Sequence, residues 1–368
     1  MLTNYNKTKP VTKLSLLCFC SFFAIISYCQ KQQATHFFAA DNPLIQYVGR
    51  IDFNDKKLPR YWQPSVYVKA RFTGTFCNVI VNDEMLFGKN HNYLEVVIDD
   101  TVLHRLETKG KRDTIRVANG LSNGTHTILI AKNTEANIGY IEFVGLQCKA
   151  LLPLQHKPIR KIECIGNSIT CGASADESEI PCGKGVWQDQ HNAYLAYGPV
   201  TARNLNAQWI LSSVSGIGMV HSCCNLEILM PQVYDNVNMR NKNDSLKWNF
   251  ALYQPDVVTV CLGQNDGIQD STLFCTAYVQ FLQRLRGDYP KAKIVCLTSP
   301  MADSSLVASE KNYLGGIVRF MNKNGDKNVS RYFFLKRYYH GCDTHPNVSE
   351  HKEIAAELTP YLKKLMNW

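Results

Sequence analysis

At 368 residues, 45% of them apolar and 19% charged, the chain has room for two domains and a composition that excludes a disordered or fibrous protein. Its formal charge of +9 is scattered, with no arginine-rich block and no nucleic-acid motif. A nucleic-acid partner is thereby excluded, and the charge reads as solubility.

The N-terminus reads as a targeting segment. Lys7, Lys9 and Lys13 precede an apolar run from Leu14 to Tyr28, too short for a comfortable membrane span and suited to a signal peptide over residues 1–29. Cleavage is expected near Ser27-Tyr28-Cys29. Lipid modification of Cys29 is the alternative, which Tyr28 fits poorly. Losing the segment removes three lysines and no acid, so the charge falls to +6. No later stretch is long enough to span a bilayer, and the protein is expected to be secreted or periplasmic, or held at the cell surface.

From residues 35 to 152 the period is two. Val66, Val68, Ala70 and Phe72 alternate with Tyr67, Lys69 and Arg71, and Cys77, Val79, Val81 and then Leu94, Val96, Ile98 repeat the pattern. Asn119-Gly120 and Asn123-Gly124 supply turns. Short strands separated by turn chemistry predict an antiparallel β-sandwich of jelly-roll type.

After the linker Pro153-Leu154-Gln155-His156-Lys157-Pro158 the pattern changes. Apolar strand candidates recur at Ile162–Ile165, Trp209–Val214, Val257–Leu262, Ile294–Leu297 and Tyr332–Leu335. Between and after them lie helical faces, Phe274, Tyr278, Leu282 and Leu285 on one and Ile354, Leu358 and Leu362 on another. The alternation predicts an α/β domain over residues 158–368, a parallel sheet with helices on both faces. Ligands of such sheets bind beyond the carboxyl ends of the strands.

Ser168 follows the first of those strands, in "KIECIGNSITCGAS". A hydroxyl there is either a nucleophile or a turn cap, and distant loops decide between them. Ser215-Gly216-Ile217-Gly218 follows the second strand, Gly263-Gln264-Asn265-Asp266 the third, and Cys342-Asp343-Thr344-His345-Pro346-Asn347 precedes the last helix. Together they offer a hydroxyl, a backbone N–H at a flexible glycine, a side-chain amide and an imidazole, which are the parts acyl transfer needs. Asn347 with Glu350 three residues on reads as a capping box.

The order Gly-Asn-Ser, Gly, Gly-x-Asn-Asp, Asp-x-His-Pro resembles the SGNH (GDSL-type) hydrolases. With a sandwich in front, "YVGRIDF", "NGLSNGTHTILIAKNTEANIG", "IECIGNSITCG", "AYLAYGPVTAR" and "DTHPNVSEHKEIA" resemble carbohydrate esterase family 2. Those enzymes join a jelly roll to a flavodoxin-like, three-layer SGNH domain and remove acetyl groups from xylan and glucomannan. The resemblance implies Ser168 as nucleophile and His345 as general base. It implies an oxyanion hole of the Ser168 N–H, the Gly216 N–H and the Asn265 amide, with Gly218 as a rival to Gly216. It also implies an acetylated polysaccharide or oligosaccharide as substrate. Two positions depart from the pattern. Asn167 stands where the wider family has Asp, and Cys342 stands where its acid is expected, so either Asp343 or a backbone carbonyl orients His345.

The remaining residues carry weaker signals. Asp266 is expected to brace its loop. Trp187 and Tyr194 either flank the cleft and stack on sugar faces or pack into core and rim. His191, His221 and His351 read as surface or structural. Of fourteen cysteines, eleven lie beyond the signal without a C-x-x-C pair, so no zinc site is expected, nor any other metal or cofactor. Cys164, Cys261 and Cys296 read as small core residues. Cys171 with Cys182 is the expected disulfide, and the odd total leaves a free thiol. A monomer is expected. The absence of G-x-S-x-G, P-loop and dinucleotide motifs argues against an α/β-hydrolase or a nucleotide enzyme. The alternatives are an SGNH lipid esterase or thioesterase, or a carbohydrate-binding protein that has lost catalysis.

Overall fold

The computed structural model describes residues 35–368. The predicted signal peptide, with Cys29, lies outside the described residues. Eleven strands come first: β1 (His36–Ala39), β2 (Gln46–Val48), β3 (Arg60–Tyr61), β4 (Tyr67–Thr73), β5 (Cys77–Asp83), β6 (Tyr93–Ile98), β7 (Val102–Glu107), β8 (Arg112–Ala118), β9 (Thr125–Lys132), β10 (Ile141–Cys148) and β11 (Ala150–Leu152). They form two antiparallel sheets, β1-β10-β5-β8 with β3 on β10, and β11-β4-β9-β6-β7 with β2 on β4. Val68, Phe72, Val79, Leu94, Val96, Ile130 and Phe143 fill the space between them, each on the inward half of its strand's period.

The outer face of the second sheet is covered too. Val48, Tyr67, Val97 and Leu129 share a core with Ile162, Trp209 and Leu211 of the following strands, the rings of Tyr67 and Trp209 lying 4.4 Å apart. All six residues of β6 are therefore buried, where the sequence suggested alternation. Its one outward acid, Glu95, accepts from the amides of Asn133 and Asn192 at 2.8 and 3.2 Å, as a buried carboxylate must.

Five parallel strands follow: β12 (Arg160–Gly166), β13 (Ala207–Ser213), β14 (Val257–Cys261), β15 (Lys293–Leu297) and β16 (Val329–Tyr332). Their order, β13-β12-β14-β15-β16, is the flavodoxin-like arrangement, which puts the switch of direction beside β12. The helices are α1 (Ser168–Cys171), α2 (Tyr197–Asn204), α3 (Met230–Val233), α4 (Ser271–Asp288), α5 (Ser304–Lys323) and α6 (Val348–Met366). Tyr197 and Ala202 of α2 join Ile354, Leu358 and Leu362 of α6 on one face of the sheet. Phe274, Tyr278 and Leu282 of α4 join Leu314 and Ile317 of α5 in a second core. The last strand sits three residues earlier than Tyr332–Leu335. Val329 pairs with Ile294 in register, while the apolar Phe334 that drew the sequence reading lies past the strand and donates its N–H to Thr298 Oγ1.

Among the described residues no helix is long and apolar enough to cross a membrane.

Candidate active site

β12 runs between β13 and β14, with Gly166 in register with Ser213 on one side and Cys261 on the other. The Ser168, Ser215–Gly218 and Gly263–Asp266 loops thus leave three adjacent strands at the same end of the sheet. The strand end is crowded: a Cβ on Gly166 would stand 2.0 Å from Thr170 Oγ1 and 3.2 Å from the Cys261 carbonyl. The next residue, Asn167, is the cap, its Oδ1 accepting the Ile169 N–H at 3.2 Å. Capping is therefore done by the neighbour, and the Ser168 hydroxyl is left for another partner.

That partner is His345. Its Nε2 lies 2.8 Å from Ser168 Oγ, and its Nδ1 lies 3.1 Å from the backbone carbonyl of Asp343. A carbonyl only accepts, so Nδ1 carries the ring proton and Nε2 is the acceptor facing the hydroxyl. Burial holds the imidazole below its ordinary pKa, with the Asp343 carbonyl and carboxylate working in the opposite direction. The ring is thus neutral at pH 7.

The Asp343 carboxylate is not the group that orients His345. It turns away and accepts from the Ser174 hydroxyl at 3.5 Å. With Asp343 and Thr344 both left-handed (φ 50° and 59°), the chain bends so that the carbonyl, not the carboxylate, faces the ring. Gly341 donates to the His345 carbonyl at 2.7 Å and Cys342 to the Ser174 carbonyl at 3.0 Å. Cys342 is also disulfide-bonded to Cys182, which corrects the expected Cys171–Cys182 pair. Cys171 is enclosed beneath the serine, its Sγ 3.2 Å from Ser213 Oγ, whereas Cys182 lies on the exposed loop facing the histidine segment. A second disulfide joins Cys223 and Cys224. Asn347 and Glu350 form the capping box read from the sequence.

In the loops leaving these strand ends, three donors are free of acceptors. Among the described residues neither the Ser168 N–H nor the Gly216 N–H makes an intramolecular hydrogen bond. Asn265 spends one amide N–H on the Ile217 carbonyl at 2.9 Å, which leaves the other available. Gly218 is a weaker rival, because its N–H is committed to Ser222 Oγ at 3.0 Å. Gly216 has φ 81°, in the left-handed region that favours glycine. Asp266 is a brace, but across to the neighbouring loop, accepting from the N–H groups of Met219, Val220 and His221.

Trp187 stands at the rim, 38% exposed, its ring 6.0 Å from His345 and edge-on. Tyr194 is core: it is buried under the Arg203 guanidinium, which lies 3.9 Å from its ring centroid. His191 is structural, fully buried against Trp187 at 4.8 Å. His351 is structural as well, accepting the Tyr197 N–H at Nδ1 and pushed to a pKa of about 3 by burial. His221 is exposed, its Nδ1 3.0 Å from the Asn265 carbonyl. One neighbour went unread in the sequence. Glu135, from the loop after β9, reaches across from the sandwich and accepts the Ser215 N–H at 2.7 Å. The available signal was the polar run Lys132–Glu135 directly behind a buried strand.

Residues 47–158 match the family described as carbohydrate esterase 2 N-terminal, and residues 164–325 match the GDSL-like lipase/acylhydrolase family. The chain is 31% identical over 341 residues to the cellulase/esterase CelE of Acetivibrio thermocellus, covering 89% of this chain and 40% of that protein's length. It is 27% identical over 357 residues to an acetylxylan esterase/glucomannan deacetylase of Cellvibrio japonicus, covering 93% of this chain and 96% of that one. A family two carbohydrate esterase from Clostridium thermocellum, solved in complex with cellohexaose, superposes with a TM-score of 0.80 at 29% identity, over 88% of this chain and 99% of that one. With the two sheets of the sandwich and the parallel sheet as observed, the chain consists of a carbohydrate esterase 2 N-terminal domain followed by a domain of the GDSL-like lipase/acylhydrolase family.

Proposed function

We propose that this protein is a secreted carbohydrate O-acetyl esterase that removes acetyl groups from plant-type polysaccharides such as xylan and glucomannan, or from their oligosaccharides. The observation that carries the reading is the 2.8 Å approach of His345 Nε2 to Ser168 Oγ, in a chain related over nearly its whole length to an acetylxylan esterase/glucomannan deacetylase.

The reaction runs in two halves. Ser168 Oγ attacks the acetyl carbonyl carbon as its proton passes to His345 Nε2. The carbonyl oxygen becomes an oxyanion facing the Ser168 and Gly216 N–H groups and the free Asn265 amide N–H, each worth about 3 kcal/mol in related sites. The bond from carbonyl carbon to sugar oxygen then breaks, the imidazolium returns its proton to that oxygen, and the sugar hydroxyl leaves. Water attacks the acetyl-serine, giving its proton to His345, and acetate departs as Ser168 Oγ takes the proton back. Trp187 offers a flat apolar face beside the histidine for a pyranose ring.

Acetate release from acetylated xylan or glucomannan tests the reading. Ser168→Ala is expected to lower kcat by about 10⁴- to 10⁶-fold. A protein inert towards aryl acetates would refute it.

A further inference from the structure

The end of β9 and the loop after it, Lys132-Asn133-Thr134-Glu135-Ala136, are at most 1% exposed at every position. A loop this polar ordinarily lies on the surface, so its burial needs a reason. The Lys132 ammonium donates to the carbonyls of Trp62, Thr134 and Glu135 at 3.1, 2.8 and 3.0 Å, which matches its three N–H bonds with three acceptors. Asn133 accepts from the Tyr194 N–H through its side chain and from the Ala193 N–H through its carbonyl, both at 3.1 Å. The loop is thus pinned at its base and tied to the hydrolase domain, and Glu135 is its tip.

Glu135 is an expensive residue to bury. Burial pushes its pKa up, and the Ser215 amide and the Lys132 ammonium pull it back. Oε2 accepts the Ser215 N–H at 2.7 Å and, more weakly, the Cys171 thiol at 3.9 Å, while Oε1 is enclosed without a hydrogen-bond partner. An apolar residue of similar size would serve stability better than a half-satisfied carboxylate. What the carboxylate does supply is a fixed acceptor at the residue before Gly216. The left-handed freedom that lets Gly216 turn its N–H to the site also lets the Ser215–Gly216 peptide rotate away. On the far side the Gly216 carbonyl is held by the Cys223 N–H at 2.9 Å. On the near side the hold is Glu135.

We propose that Glu135 is a positioning residue for the oxyanion hole, by which the β-sandwich sets the Gly216 N–H towards the acyl oxygen on Ser168. The inference rests on the esterase reading above and assigns the sandwich a part in the reaction besides any binding of glycan.

Two substitutions separate its reach from its charge. Glu135→Gln keeps an oxygen at the same reach and loses the charge, whereas Glu135→Asp keeps the charge and falls one methylene short. Hydrolysis of 4-nitrophenyl acetate is followed, with rates expressed per site labelled by a serine-directed phosphonate, so that misfolded molecules are not counted. Glu135→Gln is expected to keep kcat within about threefold. Glu135→Asp is expected to lose about 10- to 100-fold in kcat with KM within about twofold, less than the 10²- to 10³-fold of removing a donor outright. A kcat for Glu135→Asp equal to or above that of Glu135→Gln overturns the proposal, as does a loss confined to the fraction of labelled sites. If Ser168→Ala is inactive while both Glu135 variants match the unsubstituted protein, the positioning role alone fails. If Ser168→Ala keeps the activity, the esterase reading fails with it.

Discussion

The two residues that meet at the centre of the site are held in opposite ways. Ser168 follows a strand paired on both sides and sits 7% exposed between the buried neighbours Ile165, Ile169 and Cys171. His345 hangs on a loop whose preceding two residues are exposed and left-handed, tied back by main-chain bonds to Ser174 and Ala175 and by one disulfide. Ser168, the proposed nucleophile, is fixed by packing, which is stiff and intolerant of added volume. His345, the proposed base, is fixed by a few discrete ties, which can be cut one at a time. The two loops should therefore fail differently.

On the serine side the sharpest break is Gly166→Ala. The added methyl would meet Thr170 Oγ1 and the Cys261 carbonyl, and the second of these belongs to a paired strand that cannot yield. A displacement of the serine by about 1 Å costs on the order of 10²-fold in rate. We expect kcat/KM on aryl acetates to fall by about that factor, with overpacking costing about 1–3 kcal/mol in denaturant unfolding. An Ala variant of unchanged activity would show that this strand end has more give than its contacts allow.

On the histidine side the corresponding break is Cys182→Ser. The disulfide closes a loop of 160 residues and is expected to contribute about 2–4 kcal/mol to stability. Its loss also unties the segment that aims the imidazole, and we expect kcat to drop roughly tenfold while the site stays assembled, the remaining main-chain ties retaining most of the geometry. Urea unfolding and initial rates, each with and without reductant, measure the two effects. A stability loss with an unaltered rate per folded molecule would mean that the main-chain bonds suffice to aim the ring.

Much of this was legible in the residues, and the exceptions have physical causes. Side-chain periodicity announces strands and helices because burial follows it, so the first four parallel strands and the faces of α4 and α6 fell where the pattern put them, while the last strand lies three residues earlier than its apolar run. The pattern is silent about contacts between distant segments. Cys171 and Cys182 are near in sequence, but Cys171 points into the core and the true partner of Cys182 is Cys342. β6 looks half-buried by its alternation and is buried on both faces, because a second domain covers its outer side. Ser168, Gly216, Asn265 and His345 were recognisable as side-chain types at loop positions. A backbone carbonyl was one of the two orienting groups expected, but that it is the carbonyl of Asp343 was not legible, since two left-handed residues and not a side-chain identity bring it to the ring.

A milder perturbation of the same contrast is proton concentration. Only the neutral imidazole can take the serine proton, and burial depresses the His345 pKa. Activity should hold as pH falls through 6.5, the ordinary histidine value. It should then decline about tenfold per unit only below the depressed value, as the ring becomes charged. A limb of kcat/KM centred at or above 6.5 would contradict this sign.

The smallest effect belongs to the residue that looks most catalytic in the sequence. In a full serine triad the carboxylate behind the histidine is worth about 10⁴-fold. Here the Nδ1 proton is directed at the Asp343 carbonyl, 3.1 Å away, and the carboxylate is occupied elsewhere with Ser174. Replacing Asp343 by alanine removes the carboxylate and leaves the carbonyl. What changes is the Coulombic support of the ring and the ease of holding a left-handed backbone, which aspartate tolerates better than alanine. A few-fold fall in kcat is expected, with the acidic limb of the pH profile moving lower because one influence that raises the His345 pKa is gone. A loss near 10⁴ would mean that the carboxylate swings onto the imidazole when substrate binds, and that the two loops are coupled through a triad after all.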